Sequence, residues 1–147
     1  MRCFERVFTL KTQRTACAGN TGKPLRDGDS RRALGLRGEE QGVRYLAARG
    51  YVVLERGFRM FRGEIDIIAR KDGTLVFVEV RTRARDDFGL PDESVTRPKQ
   101  RQVRKVALGY LLKRGLAEEK TPCRFDVLSV LWLGGERFRI VHHTDAF

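Results

Sequence analysis

An α/β sandwich built on a mixed sheet is the fold class this sequence predicts, and three observations carry the prediction. Helical and strand periodicities follow one another as helix, three strands, helix, two strands, with no internal repeat or low-complexity tract. The segment GEIDIIARKDGTLVFVEVRTR, residues 63–83, holds two β-branched runs around Asp72-Gly73, a dipeptide suited to a two-residue hairpin turn in which both positions take positive φ. A chain of 147 residues, 41% of them hydrophobic, suffices for one domain around a single core.

Each element has its own justification. Residues 1–33 carry eight Lys/Arg and three acids, are interspersed with Gly, Thr and Ser, and show no sustained period, so they are expected to form a disordered basic arm. The folded unit is expected over 34–147. From Leu36 to Arg49 the apolar positions Leu36, Val43, Leu46 and Ala47 recur at helical spacing, and Gly50 supplies a stop. YVVLERGF reads as the first strand, and the two arms of the Asp72-Gly73 hairpin as the second and third. Residues 84–98, with Gly89, Pro91 and Pro98, read as a loop. A second helix starts near Thr96 to Lys99 and runs to Arg114, with Val103, Val106, Ala107, Tyr110 and Leu111 on its inner stripe. CRFDVLSVLWL and RFRIVHH complete the set as a second hairpin around Gly134-Gly135.

Thirty Lys and Arg against 19 Asp and Glu give a net charge of +11, and residues 34–147 keep 22 basic and 16 acidic residues, so the surplus belongs to the folded part too. Such a balance points to a polyanion, nucleic acid ahead of an anionic membrane surface. Cys3, Cys17 and Cys123 are odd in number and lack paired spacing, which argues against a disulfide framework or a zinc knuckle. With neither a stretch of about 20 apolar residues nor the pattern of a secretory signal, a soluble, cytoplasmic protein without a membrane partner is expected. No Ser-His-Asp or Cys-His arrangement can be argued, and there is no glycine loop for phosphate.

The acids of the central hairpin are the informative residues. With Asp72 and Gly73 as the turn, paired residue numbers sum to a constant, so Asp66 falls opposite Glu79 and Arg81 opposite Glu64. Opposed side chains lie about 5 Å apart at Cβ, and two carboxylates so placed repel by roughly 3 kcal/mol at an effective dielectric near 20. A hard divalent cation such as Mg²⁺ reverses that sign, because it takes one or two carboxylates together with water and phosphate. Glu39 shares its helix stripe with Val43 and Leu46 and is a third acid within reach. Three plainer readings stand beside this one: surface acids on a hairpin buried by its other face, a structural ion pair between Glu79 and an arginine, and Glu39 as a helix-start acid favoured by the macrodipole. Arg97, Lys99, Arg101, Arg104 and Lys105 cluster at the start of the second helix, either as a phosphate-binding surface or as a solvated helix face. His142 and His143, adjacent in a strand, point to opposite faces and cannot chelate together; Trp132 and Phe138 read as packing residues and Asp126 as a structural acid.

At these residues the sequence resembles the YraN-like family of small bacterial proteins, placed in the restriction-endonuclease-like superfamily with its P-D-(D/E)-x-K pattern. GLRGEEQGVRYLAARGY, GEIDIIA, LVFVEVRTR, RFDVLSV and HHTDAF carry the resemblance over about residues 35–147. It implies a restriction-endonuclease-like α/β/α sandwich with a central mixed sheet, and a metal-dependent endonuclease hydrolysing phosphodiester bonds in nucleic acid, with DNA, branched DNA among the candidates, ahead of RNA. The implied metal ligands for Mg²⁺ or Mn²⁺ are Asp66 and Glu79 with Glu39, and a homodimer is common in that superfamily. One departure stands out: the superfamily's lysine is Arg81 here. Guanidinium stays protonated and cannot act as a base, so Lys99 is the substitute looked for and Arg81 is left to neutralise phosphate. The alternative is a module on the same fold that holds nucleic acid without cutting it.

Overall fold

The computed structural model describes residues 27–84, 95–117 and 121–147. The elements follow the order α1 (Asp27–Ala47), β1 (Val52–Met60), β2 (Gly63–Lys71), β3 (Thr74–Ala84), α2 (Arg97–Lys113), β4 (Cys123–Trp132) and β5 (Phe138–His143). The strands form one sheet in chain order, and β3 with β4 is its parallel pair, all other neighbours being antiparallel. Parallel pairing demands a crossover, and α2 lies within it.

One helix covers each face. Tyr45 and Leu46 of α1 pack with Ile67, Ala69, Val76, Val78, Leu128 and Val130. On the other side Val103, Val106, Ala107 and Tyr110 of α2 pack with Phe58, Ile65, Ile68, Leu75 and Phe77. Strand β3 is buried on both sides from Leu75 to Glu79, which explains why its sequence is apolar nearly throughout instead of alternating. The Asp72-Gly73 turn takes the expected form, with φ of +48° and +77°.

Several boundaries differ from those read in the sequence. The first helix starts at Asp27, so residues 27–33 are helical and not part of an arm; residues 1–26 lie outside the described residues. Residues 30–33 are exposed and Leu36 is 57% exposed. These turns bury no apolar stripe, so the sequence carries no period there. In the expected loop, residues 85–94 are outside the described set. The β4–β5 hairpin closes at Trp132↔Phe138, with Leu133 N–H donating to Arg137 O, so Gly134-Gly135 sits inside a longer loop.

Candidate active site

The β2–β3 ladder keeps the expected register from Lys71↔Thr74 to Ile67↔Val78. At the next step it changes character: Asp66 Oδ2 accepts the Val80 N–H at 2.7 Å, so a side chain takes a ladder bond. The cause is visible across the hairpin on the other side. Between the pairs Arg56↔Ile67 and Phe58↔Ile65 lies Gly57, with φ +57°. Residues two apart in a regular strand share a face, yet Ile65 packs in the α2 cluster and Ile67 in the α1 cluster. The strand therefore rotates about Asp66, which aims its carboxylate at β3. Glu64 goes to Arg59, at 3.0 Å, and not to Arg81 as the extrapolated register implied.

Glu79 continues the face of Leu75 and Phe77 and is 7% exposed. Lys99, on the first turn of α2, places its Nζ 3.0 Å from Glu79 Oε1, while Arg81 Nε stands 3.8 Å from the same oxygen. Glu79 Oε2 and Arg81 Nε are buried and have no hydrogen-bond partner among the described residues. Lys99 thus meets Glu79 from α2, closer than Arg81 does from the same strand.

Glu39 is delivered by the seating of α1. A β-carbon at Gly38 would overlap Thr82 Oγ1, and one at Gly42 would lie 3.2 Å from Leu128, so the helix backbone rests directly on β3 and β4. Glu39 itself is half-buried, and burial first, then the nearby Glu64, raises its pKa against the lowering effect of Arg56 and Arg59. Burial also pushes the Asp66 carboxyl up to about 7, helped by Glu79 and Glu39 and opposed by the Val80 hydrogen bond and Lys99. Asp66, Glu79, Glu39, Lys99 and Arg81 therefore belong to one electrostatic neighbourhood. Among the described residues no group of three or more His, Cys, Asp or Glu side chains is gathered closely enough to hold a metal ion, so the three-carboxylate set is not closed in this conformation.

The remaining basic residues of α2 do not converge on the acids. Arg97, Arg101, Arg104 and Lys105 are exposed, with Arg104 over Phe125 and Phe147 and Lys105 over Phe61. Asp126 holds more of the fold together than the sequence disclosed. Fully buried, it accepts from Arg124 Nε at 2.8 Å and Nη2 at 2.9 Å and from the Asp145 N–H at 3.0 Å, and it bonds His142 Nε2 at 2.8 Å. Its burial favours the neutral acid, but the bonds from His142 and Arg124 win and its pKa is lowered. An Asp interrupting an apolar strand was the available signal. Phe138 is buried and Trp132 packs against its cluster, as the sequence suggested.

Fold and site together define a small mixed-sheet α/β protein in which two strands present an acid pair and the crossover helix brings an ammonium to it. The profile described as Uncharacterised protein family UPF0102 matches residues 38–130, and the chain belongs to that family. It is similar to UPF0102 proteins of Geobacter sulfurreducens (44% identical over 78% of this chain and 88% of the relative), Geotalea uraniireducens (47% over 79% and 90%) and Lachnoclostridium phytofermentans (45% over 80% and 98%). Among the described residues no helix is long and apolar enough to cross a membrane.

Proposed function

We propose that this chain is a cytoplasmic, metal-dependent nuclease on a restriction-endonuclease-like fold, hydrolysing phosphodiester bonds in nucleic acid, DNA ahead of RNA. The observation that carries the reading is Glu79: a buried carboxylate beside a second acid, with one oxygen engaged by Lys99 and the other lacking any donor among the described residues. A burial of this kind is costly unless something positive meets the free oxygen.

The donor set suits a hard divalent cation, since two carboxylates on neighbouring strands feel each other's charge and one Glu79 oxygen is orphaned. Asp66 and Glu79 would hold the ion, with Glu39 as the outer acid. When bound, Mg²⁺ or Mn²⁺ supplies a Lewis acid that activates water and offsets phosphate charge. The Val80 N–H fixes the orientation of Asp66. Lys99 offers a point charge and a proton donor where the scissile phosphate would approach, and Arg81 offers a permanent charge beside it. The positive surplus supports the same partner.

Cleavage of single-stranded, duplex and branched DNA in Mg²⁺ or Mn²⁺ is the test. Activity is expected to vanish in Asp66→Ala and Glu79→Ala and to fall in Lys99→Ala; cutting that survives the first two variants removes the site. A second reading, a binding module that does not cut, is favoured by the arginine at position 81 and by the ammonium already lodged on Glu79. It predicts salt-dependent DNA binding that persists in EDTA with no cleavage in either metal. Sedimentation with and without DNA distinguishes a homodimer from a single copy.

A further inference from the structure

We infer that the tip of the β1–β2 hairpin is a base-stacking element in which Phe61 meets an unpaired nucleobase, an inference that rests on the nucleic-acid reading above and narrows it. The pair Met60↔Gly63 closes a two-residue turn whose residues are Phe61, φ +52°, and Arg62, φ +59°. Turns needing positive φ at both positions favour Asn or Asp followed by Gly, as the next hairpin has. Bulky L side chains are disfavoured in that region and persist where surrounding structure imposes them. Here the strained position displays a phenylalanine that is 56% exposed.

The surroundings of the ring are cationic. Lys105 Nζ lies 5.2 Å from its centroid, Arg62 is exposed beside it, and Arg59, whose side chain is 76% exposed, stands one strand residue before the turn. Glu64, the nearby acid, is taken by Arg59. The tip is also held rigidly. Gln102 Nε2 donates to Arg62 O at 2.9 Å, a β-carbon at Gly63 would press on Val106, and one at Gly109 would overlap Met60 and press on Phe61. Lys105, over the ring, and Lys99, on Glu79, share α2 six residues apart, about 9 Å along its axis.

An exposed aromatic bordered by cations matches the way single strands are held, with stacking to a base and charge to the flanking phosphates. Bases in a continuous duplex have both faces occupied by neighbours, so the substrate class indicated is single-stranded or strand-separated nucleic acid. A symmetric contact with a second copy would instead bring Arg62 and Lys105 of each copy together, and the like charges oppose it.

The experiment titrates the full-length chain in EDTA against a single-stranded oligonucleotide carrying 2-aminopurine, and against the same sequence as a blunt duplex. Binding is expected to change the probe's fluorescence, and Phe61→Ala to weaken single-strand affinity by about tenfold with duplex affinity unchanged. Phe61→Trp is expected to restore it, and melting curves confirm that each variant folds. Equal loss on both substrates, no loss on either, failure of the tryptophan to restore binding, or a change in sedimentation of Phe61→Ala each overturns the inference. If the unaltered chain binds neither substrate, the nucleic-acid reading falls with it; if it binds and the Phe61 variants behave alike, only the stacking role falls.

Discussion

Replacing Asp66 with asparagine isolates the electrostatic strain of the site. Burial and the neighbouring acids move the Asp66 carboxyl from its ordinary 3.8 to about 7, so the folded chain holds a proton that the unfolded chain releases. A folded-state pKa raised in this way makes stability greatest below about pH 4 and removes it as pH climbs toward 7, with a plateau above. At ~1.36 kcal/mol for each pH unit, the displacement corresponds to about 4 kcal/mol across that window. The substituted amide would retain an oxygen for the Val80 N–H while carrying no charge. Urea unfolding in EDTA at several pH values between 4 and 9 is the assay. Wild type is expected to lose stability through the window, Asp66→Asn to lose much less, and the variant to be the more stable protein at pH 8. Glu39 shifts in the same direction, so the difference between the two curves, not the wild-type slope, reports Asp66. Parallel curves for the two proteins would refute the claim that the carboxylate is held against its preference. At pH 8, Mg²⁺ is expected to raise the unfolding midpoint of wild type and not that of the variant.

Lys99→Met leaves Glu79 buried without its ammonium and is expected to destabilise by about 2 kcal/mol at pH 8, below the figure for a fully enclosed pair because Lys99 is partly exposed; adding Glu79→Gln should recover most of the loss in a denaturation cycle. Gly38→Ala forces α1 away from Thr82 and is expected to cost about 1–3 kcal/mol, with Thr82→Ala giving partial rescue in thermal melts. Asp126→Ala strands Arg124, His142 and the Asp145 N–H and is expected to cost about 3–5 kcal/mol. The lowered pKa of Asp126 gives the opposite pH sign to Asp66: its stability is present above pH 4 and lost as pH falls through the folded value, so Asp126→Asn should flatten the acid limb of the unfolding curve.

Local pattern carried the elements and part of the site into view. Asp72-Gly73 fixed the hairpin, and the two-residue period then gave the correct partner for every residue from Lys71 to Ile67. The period could not reveal the rotation at Asp66, because that depends on Gly57 in another strand taking a left-handed conformation. It was equally blind to β3 lying parallel to β4, a pairing between segments separated by a whole helix. The position of Lys99 at a helix start is legible in the sequence, but its contact with Glu79 is tertiary. Phe61 carries no turn signal in the sequence, because FR between two strands contains none of the usual turn residues.

The route by which Lys99 reaches Glu79 orders events during folding. The hairpin bearing both acids closes locally and fast, whereas the lysine arrives only when α2 has docked on β1, β2 and β3. Until then Glu79 has Arg81, 3.8 Å away on its own strand, as its nearby cation. Pairing of Lys99 with Glu79 is thereby coupled to the docking of α2, and a chain stalled before that step leaves the buried carboxylate without its ammonium.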